Sequence, residues 1–235
     1  MTGGRDLAAA FDLRAATPAF LADPYPTYAA LRRHAPVKRL PDGSYFLSRY
    51  AECLTVYKDP ARFLSDKRQA FGPVFGKSPL YEHHTTSLVF NDPPLHTRVR
   101  RLLAPAFTPR ALAALRARVE AFVDQALDRA EDAGEFDLIT DLAAALPIQL
   151  IGDMLGIPGD ERGPLRDWSL AILGGLEPRP SDQRLAAGNR AVEEFKDYLR
   201  HLINRRRAGS LASDDSEILS KLCLLYTSPS PRDWL

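Results

Sequence analysis

The chain has 235 residues, 45% of them apolar, enough to build a packed core and too many for a disordered segment. Lys and Arg number 31 against 30 Asp and Glu, a formal net charge of +1 that excludes a strong global attraction to nucleic acid or an anionic membrane. Cys53 and Cys223 are far apart and form no Cys-x-x-Cys spacing, and Met1 to Ala10 carries no apolar run long enough for a signal peptide, so the expected setting is reduced and cytoplasmic, without a disulfide framework or zinc site.

From Asp23, a capping residue, the apolar positions Tyr25, Tyr28, Ala29 and Leu31 have helical spacing, and Pro36 prevents continuation past Ala35. Val37 to Leu40 and Tyr45 to Leu47 flank Pro41-Asp42-Gly43, residues suited to a tight turn, so a small hairpin is expected. Tyr50, Cys53, Leu54 and Tyr57 predict a short helix ending near Pro60, with Cys53 on its buried face. Gln69 to Leu88 has glycine and proline interruptions around Phe71, Phe75 and Tyr81 and no clean period, which predicts a long, aromatic-bearing loop.

Asp92-Pro93-Pro94 combines a capping carboxylate with first-turn proline, and Leu95 to Ala104 should be helical. Thr108-Pro109 opens a long helix with Leu112, Leu115, Val119, Phe122, Ala126 and Leu127 on one face, closed by Gly134. Asp141 precedes another helix that Gly156 and Pro158 end, with Pro147 expected to kink or break it. Leu165 to Leu173 and Leu185 to Arg207 are the last helical stretches before Gly209, and Ser213 to Glu217 reads as a surface connection. The expected fold is mainly α with one small β-hairpin.

The most specific stretch is Asp92-Pro93-Pro94-Leu95-His96-Thr97-Arg98-Val99-Arg100-Arg101-Leu102-Leu103, followed by Ala106-Phe107-Thr108-Pro109-Arg110. His96 and Arg100, four apart on a helix, project from one face and can reach a common anionic target, for which two neighbouring carboxylates are suited. The bland alternative is a solvated helix face, the usual fate of a short charge run. The whole string resembles the bacterial cytochrome P450 pattern D-P-P-x-H-T-R-x-R-R-L-x-x-x-A-F-T-P-R. Weaker matches extend the resemblance over roughly Asp23 to Leu222: Asp23-Pro24-Tyr25-Pro26, Arg62-Phe63-Leu64-Ser65, and Leu146-Pro147 leading to Leu155-Gly156-Ile157-Pro158.

The resemblance implies the N-terminal part of the cytochrome P450 fold, truncated before the central helix, and a haem-thiolate monooxygenase as the intact parent. It implies haem b as cofactor, with His96 and Arg100 holding the propionates. It also implies O2, a small apolar organic substrate and a ferredoxin or flavodoxin-type electron donor, which exposed Arg98 or Arg101 would help dock. Gln69 to Phe90 corresponds to the loop over the substrate chamber, with Phe71, Phe75, Leu88 and Val89 as candidate pocket residues, and Asp167 to Arg184 to the entrance lid. For these four apolar residues ordinary core packing is the commoner role.

His83-His84 reads as a plain loop pair and Arg205-Arg206-Arg207 as helix-terminal charge beside the dipole, not as a metal or nucleic-acid site. The thiolate ligand of the iron is expected in F-x-x-G-x-x-x-C-x-G, which this chain lacks along with A-G-x-x-T and E-x-x-R; Cys53 and Cys223 lie in other contexts. Residues 1–222 are therefore expected to be a portion of one P450 domain. Residues 223–235, in which Pro229 and Pro231 forbid a continuous helix, read as a non-native tail of adapter-like or frame-shifted sequence. Such a fragment would be inactive and aggregation-prone. A non-catalytic helical haem or small-molecule binding module is the alternative.

Overall fold

The computed structural model describes residues 3–209; the expectations for Ser213 to Glu217, Cys223 and the 223–235 tail lie outside the described residues. Eleven helices and one two-stranded sheet order these residues, and they gather into an N-terminal unit and a larger helical body.

The N-terminal unit packs α1 (Gly4–Ala10) and α2 (Pro18–Ala22) with α3 (Tyr25–His34) and the hairpin β1 (Val37–Arg39) and β2 (Tyr45–Leu47). Val37 pairs with Leu47 and Arg39 with Tyr45, and the connecting turn places Gly43 at φ 86, a conformation costly for any side chain. Asp42 accepts hydrogen bonds from the Ser44 backbone and hydroxyl, which holds its carboxyl below the usual range. Ala8, Phe11, Ala30, Leu31 and Leu40 are the core, with Phe11 edge-on to Phe46 at 4.8 Å. In α4 (Tyr50–Lys58) no residue is buried: Tyr50 and Tyr57 are exposed and Cys53 is half-buried, because the helix meets the hairpin along one narrow edge.

The expected loop from Gln69 to Leu88 is instead two short helices, α5 (Arg68–Phe75) and α6 (Pro79–Thr86). Ser78 accepts from the Tyr81 amide and Pro79 takes the first position, a start signal without a long apolar run behind it. Periodicity fails here since α6 buries one large apolar side chain, Leu80, beside His84 and Thr85.

After α7 (Leu95–Leu103), a 3-10 turn leads into the long α8 (Pro109–Ala133). Asp137 and Asp141 cap a π turn over Leu138–Ala143, so α9 (Ala145–Leu155) begins later than Asp141 predicted. The helical run is interrupted at Ala144, and Pro147 occupies the first turn of α9, where a missing N–H costs nothing. α9 ends at left-handed Gly156, φ 66, as its sequence required.

α10 (Leu165–Gly174) and α11 (Asp182–Arg207) pack side by side and carry two connected cores. One holds Phe75, Leu80, Ile172, Ala191 and Val192; the other holds Ile157, Leu165 and Leu202; Trp168 touches both. The arginines ending α11 bind specific groups: Arg205 pairs with Glu161 at 2.5 Å and Arg206 donates to the Gly156 carbonyl at 2.6 Å. By contrast, the apolar faces of α8 and α9 are poorly covered, with Leu112, Leu127 and Ile151 all at least 45% exposed. By length and composition alone, Leu138–Leu155 is apolar enough to cross a membrane, and 6% of it is buried.

Candidate functional site

α7 lies at the surface, with no buried residue and its apolar side, Val99, Leu102 and Leu103, half-covered. Asp92 does not cap it. Its carboxylate accepts from the Ser65 and Asp66 amides at 2.9–3.1 Å, tying the start of α7 to the segment after α4, while the Asp92 carbonyl accepts from the His96 amide. The Asp-Pro-Pro signal thus specifies a long-range tether, because a carboxylate aimed away from its own helix finds two free amides in the Ser65 turn.

At about 100° per residue, His96 and Arg100 stand roughly 40° apart, next to Val99 and Leu103, and Arg98 and Arg101 project from the opposite side. His96 is half-buried and Arg100 exposed. Neither side chain, nor that of Arg98 or Arg101, has a hydrogen bond or ion pair among the described residues. Four donors of one helix are thus free for an external anion, and the His96–Arg100 pair, bordering apolar surface, matches a ligand with an apolar body and an acidic edge. Arg supplies a planar fork and His one further donor, a set that fits a pair of haem propionates.

Phe71 and Phe75 meet edge-on at 5.2 Å and enclose His84 together with Phe90. Leu88 is half-buried in a 3-10 turn, and Val89 is 71% exposed. A separate apolar cavity of about 260 Å³ lies between α6, α9, α10 and α11, and none of the four expected pocket residues lines it. Its walls include His83, Ile151, Leu155, Trp168, Ile172 and Phe195. Burial, with Lys196 nearby, pushes the His83 imidazole below its ordinary value. The sequence signal for this site was the His83-His84 pair, which reads as a loop only while α6 is unseen.

Cys53, the one free cysteine among the described residues, points its Sγ at the Leu47 carbonyl, 3.9 Å away, between β2 and α4. No group of three or more His, Cys, Asp or Glu among the described residues could hold a metal ion.

No family model matches the chain. It is 36% identical over 217 residues to the cytochrome P450 monooxygenase PikC of Streptomyces venezuelae, covering 90% of this chain and 49% of that protein. It is 33% identical over 199 residues to 6-deoxyerythronolide B hydroxylase of Saccharopolyspora erythraea, covering 80% and 48%. Among solved structures it resembles CalO2 with TM-score 0.80, 29% identity and coverage of 92% and 53%. The epothilone D-bound cytochrome P450epoK follows with TM-score 0.77, 26% identity and coverage of 94% and 56%. The chain spans about half the length of these relatives. Over most of its length, it is similar in sequence and in fold to about half of a bacterial cytochrome P450.

Proposed function

We propose that the chain is the haem-anchoring and chamber-forming portion of a haem-dependent monooxygenase whose intact form inserts one oxygen atom from O2 into an apolar organic substrate. The observation that carries this reading is the His96–Arg100 pair: two donors on one face of α7, beside apolar side chains, with no carboxylate partner among the described residues. Haem, when bound, would supply the oxygen chemistry, and a cysteine thiolate would hold it. Cys53 is committed to the hairpin edge, so that thiolate has to come from outside the described residues.

The work of this chain is binding and orientation. Arg100 would hold one carboxylate with charge-assisted bonds, and His96 would donate to it or to its neighbour, with Val99 and Leu103 beside them. Asp92 keeps α7 in place through the Ser65 and Asp66 amides. On the opposite side, Arg98 and Arg101 are free to meet an acidic ferredoxin or flavodoxin-type donor. Phe71, Phe75, Leu88 and Val89 belong to the segment over the substrate chamber of the intact protein, and residues 1–222 are a portion of one domain.

The test is titration of the full chain with haem and with haem dimethyl ester, read at the Soret band. Wild type should prefer haem, and Arg100→Ala with His96→Gln should weaken haem binding by about 10- to 100-fold, as expected for hydrogen bonds to charged groups worth about 1.5–3 kcal/mol, while leaving the ester unaffected. Equal binding of haem and ester by the wild type would refute the assignment.

A further inference from the structure

α6 is a short strap held to α10 and α11 through Leu80 and Glu82, and to α5 and the Leu88–Phe90 turn through His84. Leu80, fully buried, fills a notch floored by Gly175 and Gly188, where added Cβ atoms would stand 3.2 and 2.9 Å from its Cδ1. The Leu80 amide donates to Asn189 Oδ1 at 3.0 Å, and Glu82 pairs with Lys196 at 2.9 Å. The remaining fastening is His84, 3% exposed, with ring centroids of Phe75, Phe71 and Phe90 at 5.4, 5.8 and 6.0 Å. Its Nε2 is buried without a hydrogen-bond partner.

Such a ring packs well while neutral. A second proton would put a charge inside three phenyl rings, with only the Ile172 backbone to favour it. The titratable groups around His84 are His83 and Glu82 on its own helix and Lys196 on α11; α5 and the Leu88–Phe90 turn present phenylalanines, and α10 presents the Ile172 carbonyl. Among the described residues no free carboxylate stands by to receive the charge, as Glu82 is already paired with Lys196.

We infer that α6 is an acid-released strap: protonation of His84 expels its ring from the Phe71–Phe75–Phe90 cage and detaches α6 from α10 and α11. Because His83 on the same helix forms part of the wall of the 260 Å³ cavity, release removes that part of its wall. Burial holds the His84 pKa at about 4 against an ordinary 6.5, so the strap is closed above pH 6.5 and progressively lost as pH falls toward 4.

Hydrogen-exchange protection of residues 79–86 in the full chain, compared at pH 7.5 and pH 5, tests this. From those two pKa values, protection should fall roughly thirtyfold, with no comparable loss around Leu31 in the N-terminal unit. His84→Phe should keep the strap closed at both pH values. If that variant does not fold, the imidazole C2 proton of His84 in the wild type gives the answer: a midpoint near 4 upholds the proposal, and one near 6.5 overturns it. Unchanged protection at pH 5, or an equal loss in folded His84→Phe, also overturns it.

Discussion

Arg162 closes the C-terminal end of α9, and its removal has a calculable cost. The guanidinium, with a side chain 12% exposed, donates to the Ile157 carbonyl at 2.7 and 2.9 Å, to the Gln149 carbonyl at 3.1 Å, to Gln149 Oε1 at 2.8 Å and to Asp153 Oδ1 at 2.7 Å. It binds the Ile157 carbonyl just past the helix end and reaches back to the Gln149 carbonyl, and it lies over Gly152, where an added Cβ would come within 2.5 Å of Nε. Arg162→Met keeps the stem and removes every donor. Asp153 retains Arg118 at 3.5 Å, so the loss comes chiefly from the abandoned carbonyls and one charge-assisted bond, about 3 kcal/mol in all. At 1.4 kcal/mol per tenfold, the opening equilibrium of this turn should rise by about a hundredfold. The assay is hydrogen exchange at the Ile157 amide, which donates to the Gly152 carbonyl at 2.8 Å. Arg162→Lys should recover only part of the protection, since an ammonium cannot span the same acceptors as the fork. An Ile157 protection factor within threefold of wild type in Arg162→Met would refute the reasoning.

Gly188→Ala should destabilise the α6–α10–α11 packing by about 1–3 kcal/mol, because the new methyl meets not only the tip of Leu80 but the Ala171 carbonyl at 3.0 Å, which cannot swing aside; a lower melting temperature with unchanged helicity at 10 °C would agree, and an unchanged one would not. Glu161→Gln should cost about 1–3 kcal/mol at pH 7, since the hydrogen bonds from Arg205 and Tyr198 hold the carboxyl below its ordinary range. That contribution is present above the ordinary carboxylate range and disappears as pH falls through the lowered value, so wild type and variant should converge in acid; parallel stability curves down to pH 2 would contradict it. The exposed faces of α8 and α9 predict that the isolated chain binds 8-anilinonaphthalene-1-sulfonate and self-associates; a sharp thermal transition without dye binding would be the opposite result.

Sequence alone determined the elements whose information is local. The hairpin follows from Pro41-Asp42-Gly43, α8 from Thr108-Pro109 through Gly134, and the end of α9 from Gly156, because caps, turns and 3.6-residue periodicity act within a few residues. The string from Asp92 to Arg110 likewise carried the resemblance to bacterial cytochrome P450s, and it placed His96 and Arg100 on one helix face before any coordinates, since four-residue spacing on a helix is itself geometry. Tertiary structure decided the rest. Whether Asp92 caps its own helix or tethers the Ser65 turn depends on which amides come near it, and they lie 26 and 27 residues away. α6 exists because Leu80 finds a two-glycine notch on α10 and α11, and Asn189 caps it across 109 residues, so its own eight residues show no period to read. For the same reason His84, a plain polar residue in the sequence, becomes a buried neutral ring only when Phe71 and Phe75 of α5 and Phe90 of the following turn close around it.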